Sequence, residues 1–251
     1  MPREHIEFIQ ALEVDEQAIT AGAFAGTGRR TLSHDLESGE FTALVSFPAG
    51  WSSAVEDVPL PFELFVLRGD LVLGGQALEE GFYAYSPPSQ PDRSISSRGG
   101  ALVIAYAHAA GSESGPPIVL DADSEPWIDP TVEVPPGIAV KYLRVDPATG
   151  EGTWLAAVVP GWLAPQAETH PVVEECFMLQ GDILDGPFGD MTPGCYFWRP
   201  PQIEHGPMFS RTGALFLTRA RGGPMTVEWY DVPGAPELVR AYAAARPVFA
   251  R

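Results

Sequence analysis

Positive charge is scarce in this chain. Lys and Arg number 15 against 33 Asp and Glu, and the formal net charge is −18 at pH 7. A protein that grips a nucleic-acid backbone needs clustered cations, so that function class is excluded on charge. An anionic membrane surface is disfavoured for the same reason. The acidity reads as solubility and mutual repulsion between copies. Cysteine is nearly missing: Cys176 and Cys195 are the 2 among 251 residues. Two thiols make no disulfide framework, and they are expected to stay reduced. No apolar run approaches the roughly 18 residues that a membrane helix requires. The N-terminal MPREHIEFIQALEVDEQ is too acidic and interrupted for a secretory leader. The expectation is a cytoplasmic protein with neither nucleic-acid nor membrane partners. Helical stretches are few as well. The best is PELVRAYAAARPVF near the C-terminus, with Pro236 suited to a first helical turn.

Turn formers and apolar residues are abundant instead. Gly and Pro number 26 each and hydrophobic residues make up 45%. Short apolar runs such as FTALVSF, ELFVLRG, ALVIAYA, TWLAAVV, CFMLQG and ALFLTRA are bounded by Gly and Pro, the pattern of strands separated by turns. These runs repeat. SGEFTALVSFPAGW (38–51) corresponds to TGEGTWLAAVVPGW (149–162), FELFVLRGDL (62–71) to EECFMLQGDI (174–183), and GFYAYSPP (81–88) to GCYFWRPP (194–201). The chain is therefore an internal duplication. It predicts an all-β protein with little helix, built from two tandem jelly-roll barrels. The boundary is expected within 108–117, giving domains 1–112 and 113–251. The N-terminal HIEFI predicts a strand added to the sheet of the other barrel.

One stretch, residues 168–206, carries the chemistry. ETHPVVEECFMLQG holds His170 and Glu174, three residues apart, ahead of a predicted strand. GCYFWRPPQIEHG ends on His205 after Pro200-Pro201. Two imidazoles and a carboxylate on neighbouring strands suit a divalent metal. His170, Glu174 and Gly181 at this spacing, followed by Gly194, Pro200 and His205, resemble the two signature segments of the cupin superfamily. The paired Glu174-Glu175 ahead of CFMLQGD resembles the ChrR-like branch. The resemblance implies a bicupin and a metal site at His170, Glu174 and His205. It also marks a departure: where these signatures open on a second histidine, this chain has Glu168. Glu168 is read either as a further metal ligand or as a catalytic base beside the metal.

The two copies differ where the chemistry lies. His170 falls on Val58, Glu174 on Phe62 and His205 on Asp92, whereas Glu168 falls on Glu56 and Glu175 on Glu63. The first copy is thus read as a structural barrel without ligands, filled and dry, and the second as the metal-binding one. Strand alternation sends Glu174, Cys176 and Met178 inward and Glu175 outward, so Glu175 is assigned a structural bond. Cys176 is a soft fourth ligand or, more commonly, a small buried thiol. Tyr196, Phe197, Trp198, Trp162 and Met178 divide between pocket and core. His5, His34 and His108 lie outside both signatures and are read as exposed or structural.

Two imidazoles and a carboxylate leave coordination positions open for substrate, water or dioxygen. The favoured function is a non-haem Fe(II) dioxygenase acting on a small apolar or aromatic enol, diketone or phenol. Zn, Mn or Ni is the alternative metal, acting as a Lewis acid in an isomerase, hydrolase or decarboxylase. The other readings are a metal-binding sensor or ligand-binding module without turnover, and a storage or purely structural bicupin. The partner is a small-molecule substrate, and the oligomeric state, a homodimer included, is left open.

Overall fold

The computed structural model describes residues 3–53, 60–111, 115–235 and 237, and its regular elements are almost all strands. Their composition explains them. In Phe41–Phe47, FTALVSF, the residues Phe41, Ala43, Val45 and Phe47 stand at even spacing and pack into one core, as the alternation of side chains along a strand requires. Each fully buried Leu, Val or Phe in such a core contributes roughly 1.5–3 kcal/mol. A 3-10 turn occupies Ala11–Glu13. Of the expected C-terminal helix, 236–249, only Glu237 lies among the described residues.

The chain divides into two compact units. In the first, a seven-stranded sheet runs in the order Ile118–Asp121, Phe82–Ser86, Phe62–Gly69, Ala101–Ala107, Phe41–Phe47, Gly28–His34 and Gln17–Ala18. Its companion sheet runs Trp51–Ser53, Ile95–Ser97, Leu71–Leu73, Gln76–Leu78. In the second unit the main sheet is Ile6–Gln10, Cys195–Arg199, Val173–Gly181, Ala214–Arg221, Gly152–Val158, Ile138–Val145. Its companion is Leu163–Ala164, Met208–Phe209, Ile183–Asp185, Gly189–Met191. Strand for strand the two orders correspond, except that the first main sheet carries an extra edge strand, Gln17–Ala18. The second unit adds a pair, Ala167–Thr169 with Glu228–Tyr230.

The backbone repeats in detail. Gly69 and Gly181 close the matched strands Phe62–Gly69 and Val173–Gly181 at φ of 88° and 83°. A Cβ on either would sit 2.1 Å from the Gly100 carbonyl oxygen or 1.9 Å from that of Gly213. Only glycine lets two chains approach so closely at a left-handed turn. Both copies also bury a Glu–Tyr bond. The Tyr83 hydroxyl donates to Glu63 at 2.7 Å, and that of Tyr196 to Glu175 at 2.5 Å. Arg219 adds a bond to Glu175 at 3.2 Å, the structural role expected for this residue.

Two expectations differ from what is found. The units comprise Met1–Glu4, Gln10–Pro126 and Asp146–Ala148, and His5–Ile9, Trp127–Val145 and Thr149–Arg251. They therefore part after Pro126 rather than at 112/113, a point that lies outside the described residues. The reason is strand pairing: Ile118 to Asp121 pair with Tyr85 to Phe82, which ties the start of the second repeat to the first unit. Reciprocally, Ile6–Gln10 pairs beside Cys195–Arg199 in the second. The first barrel, moreover, is not filled. A cavity of about 270 Å³ lies in it. Phe62 stands where the other copy has Glu174, but Ala21, Gly22, Ala23, Ala105 and Ala107 on the cavity wall are too small to close the space.

Candidate metal centre

Glu174 lies near the start of Val173–Gly181, directly across from Arg199. Cys176 and Met178, two and four residues on, enter the core of the second unit with Phe197, Trp162 and Ile183, so the expected inward face is the one observed. Glu168 lies on Ala167–Thr169, and its backbone exchanges two hydrogen bonds with His205, at 2.8 and 3.1 Å. The His170 carbonyl accepts the amide of Gln202 at 2.8 Å. This ladder brings the end of the Pro200-Pro201 turn against the segment 168–170.

The side chains converge. Ligand atoms of Glu168, His170 and His205 lie within 4.8 Å of one another, and all three residues are buried. His205 Nε2 is 3.2 Å from Glu168 Oε1 and 3.7 Å from Glu174 Oε2. His170 Nε2 is 3.9 Å from each of the same two oxygens. On the far side of each ring, Nδ1 meets a carbonyl: His170 that of Thr226 at 2.9 Å, His205 that of Ile203 at 3.1 Å. A carbonyl cannot donate, so Nδ1 carries a proton in both rings, and in the neutral ring that metal binding requires the Nε2 lone pair faces the carboxylates. His205 Nε2 is buried and, despite the nearby Glu168, has no hydrogen bond of acceptable geometry. Leaving such an atom unsatisfied costs about 1–3 kcal/mol. A cation held among the four side chains satisfies it, so the donor set fits a divalent metal with oxygen and imidazole ligands.

The electrostatics fit as well. Burial opposes the charge on Glu174, but the imidazoles of His170 and His205 and the guanidinium of Arg199 outweigh it and lower its pKa. Burial also opposes protonation of His205. The contact with Glu168 and the charge of Glu174 overcome that, against Arg199, and hold its pKa at about 9. Cys176 is raised, chiefly by burial and then by the charge of Glu174. It is a free, buried thiol that Thr218 contacts at 3.8 Å, and Cys195 is likewise free and buried.

The residues behind Glu174 were not anticipated from the sequence. Arg199 is buried and donates to Glu7 through Nε and an Nη at 2.8 and 3.0 Å, to Asp185 at 2.7 Å and to Glu174 at 3.5 Å. Its guanidinium carbon lies 4.0 Å from the centroid of the Phe197 ring. Asp185 Oδ1 in turn accepts the Gly206 amide at 2.7 Å, which anchors the backbone next to His205. A signal existed: Cys195, Phe197 and Arg199 share one strand face, and a charge on an otherwise apolar inward face needs a partner. Of the other histidines, His34 is exposed, His5 contacts Glu7 at 2.6 Å, and His108 is buried against Glu63 at 2.7 Å.

The surrounding cavity measures about 170 Å³ and its wall is mainly apolar, with Phe8, Ile138, Trp162, Phe197 and Met208 among its residues. Of the aromatics expected to divide between pocket and core, Trp162 and Phe197 line the cavity, while Tyr196 and Trp198 are buried. No helix among the described residues is long and apolar enough to cross a membrane.

Residues 116–222, which include the Glu/His/His cluster, match the ChrR Cupin-like domain family. No curated protein sequence matches the chain. Among solved structures, a candidate dioxygenase from Nostoc punctiforme is similar at a TM-score of 0.77 and 22% identity, over 92% of this chain and 87% of that one. A candidate glyoxylate-induced protein from Pseudomonas aeruginosa gives 0.67 and 14%, over 87% and 88%. Oxalate decarboxylase from Bacillus subtilis gives 0.59 and 11%, over 96% and 81%. At these identities the likeness is one of fold, and in each case it spans both barrels.

Proposed function

We propose that the C-terminal barrel holds one divalent metal through His170, His205, Glu174 and Glu168, and that the protein is a non-haem Fe(II) dioxygenase for a small apolar enol, diketone or phenol. The observation that carries this is the orphaned His205 Nε2, buried beside a second imidazole of the same tautomer and two carboxylates. Two carboxylates neutralise a divalent ion, and an oxygen-rich set favours Fe(II) or Mn(II) over thiolate-seeking Zn. When bound, Fe(II) supplies a redox-active Lewis acid with positions open to substrate and dioxygen. The description of the Nostoc relative as a candidate dioxygenase supports the same reaction class.

The protein's own groups do the rest. Trp162, Phe197, Ile138 and Met208 enclose the body of a small substrate and exclude water, which strengthens every charge interaction within. Arg199 keeps Glu174 ionised and fixes its carboxylate. Glu168 is either a ligand or the base that takes the acidic proton of an enol or phenol. Glu168→Gln separates the two roles. Loss of metal affinity marks a ligand, whereas retained metal with lost turnover marks a base.

The test uses untagged full-length protein, loaded with Fe(II) without oxygen and then exposed to oxygen with a panel of small β-diketones and phenols. Oxygen uptake that matches substrate loss, and is absent in His205→Ala, is the expected result. Substrate loss without oxygen uptake overturns the dioxygenase in favour of Lewis-acid chemistry.

A further inference from the structure

The N-terminal barrel holds a cavity of about 270 Å³, against about 170 Å³ for the one around the Glu/His/His cluster. Phe24, Phe41, Phe47, Phe62 and Leu64 form much of its wall. An apolar void of about 150 Å³ is enough to remain dry and take up benzene, so this one accommodates a ring with a substituent. Left empty, it forfeits the contacts that its lining would otherwise make.

A single charged side chain interrupts this wall, that of Arg29. It lies on Gly28–His34 directly across from Val45, on the same sheet face as Ala43 and Phe47. The matching position of the C-terminal barrel, across from Ala156, is Val140, which lines the cavity there. Valine is what an apolar wall calls for, whereas arginine brings a desolvation cost that needs a partner. Among the described residues Arg29 has none. Its Nε is buried without a hydrogen bond, and no carboxylate among the described residues pairs with it. Its neighbour Arg30, by contrast, pairs with Glu16. The guanidinium carbon of Arg29 stands 5.3 Å from the centroid of Phe41, so the cation sits beside an aromatic part of the wall.

We propose that the N-terminal barrel is a metal-free binding site for a small carboxylate with an apolar, ring-sized body. Arg29 pairs with the carboxylate, and Phe24, Phe41, Phe47 and Phe62 enclose the body. The planar guanidinium matches a carboxylate through two parallel hydrogen bonds, and the aromatic wall supplies affinity without directional demand. The duplication has thus exchanged one kind of polar site for another: the cavity wall of the second copy carries imidazoles and carboxylates, and that of the first carries Arg29.

Calorimetric titration of the metal-free full chain with benzoate, and with toluene as its uncharged counterpart, tests this. Benzoate is expected to bind more tightly than toluene. Arg29→Val, which introduces the residue of the other barrel, should weaken benzoate about tenfold or more, as loss of a charge-assisted pair does, and leave toluene unchanged. Arg29→Lys should fall between. Ala105→Leu, which fills the cavity, should abolish both. His205→Ala should change neither, which keeps this result independent of the metal site. Benzoate binding that survives Arg29→Val and Arg29→Lys undiminished overturns the proposal, as does an absence of benzoate binding at millimolar concentration.

Discussion

Where one barrel carries Glu174 opposite Arg199, the other carries Phe62 opposite Ser86. The strands on either side are matched residue for residue, so the two sites are one backbone furnished in two ways. In the C-terminal barrel the furnishing is a chain of charges: Glu7 and Asp185 on Arg199, Arg199 on Glu174, and Glu174 beside two imidazoles. In the N-terminal barrel Leu73 and Ser86 occupy the places of Asp185 and Arg199, and the guanidinium carbon of Arg93 lies 4.6 Å from the Phe62 ring centroid. The barrel that lacks the candidate ligands also lacks the residues that hold them. The candidate metal site is therefore not three side chains on a neutral scaffold but a connected set reaching back to the strand Ile6–Gln10.

The largest expected effect comes from breaking that set. Arg199→Ser introduces the residue of the other copy and strands Glu7, Asp185 and Glu174 around a missing cation. Uncompensated buried charge costs about 3–5 kcal/mol, which urea unfolding of the metal-free protein should register. Its counterpart, Ser86→Ala, removes one hydrogen bond from Arg93 and should cost about 1 kcal/mol. Similar costs at the two positions would break the comparison.

The shared backbone predicts the opposite pattern, equality. Gly69→Ala and Gly181→Ala each force a Cβ onto a carbonyl oxygen at a left-handed φ, and each should destabilise its unit by roughly 2 kcal/mol or more. A thermal melt of each variant checks this. If one glycine tolerates alanine and the other does not, the two strands are not equivalent.

A smaller effect concerns pH. The pKa of His205 is held at about 9, above its ordinary value of 6.5. A raised pKa means that the folded state binds the proton more tightly than the unfolded chain. Its stabilisation is complete below pH 6.5 and is lost as pH rises through about 9, by on the order of 3 kcal/mol. Metal-free protein should therefore melt lower at pH 10 than at pH 6 by an amount that His205→Ala removes. Metal competes with the same proton, so affinity should rise with pH up to about 9. A pH-independent melting difference between parent and variant would sever the link to the second barrel.

The duplication was legible because glycines and prolines mark the same turns in both copies, and the backbone obeys them. His170, Glu174 and His205 were legible as a constellation because strand register turns their sequence spacing into proximity. Arg199, Asp185 and Glu7 were not, since their partners lie far apart in the chain: Glu7 reaches Arg199 only because the N-terminal strand pairs beside it. The same pairing, mirrored by Ile118–Asp121, moved the boundary between units, which a composition change at 108–117 cannot reveal. The cavity around Arg29 was missed because volume depends on how Ala105 and its neighbours fill space, and a list of apolar residues does not say whether they meet.

The central claim is that one barrel binds metal and the other does not. Elemental analysis of untagged full-length protein, with its His205→Ala and Asp92→Ala variants, tests it most directly. One divalent ion per chain is expected in the parent and in Asp92→Ala, and none in His205→Ala, with all three proteins folded. Two ions per chain, or a metal content that His205→Ala leaves unchanged, would contradict the account.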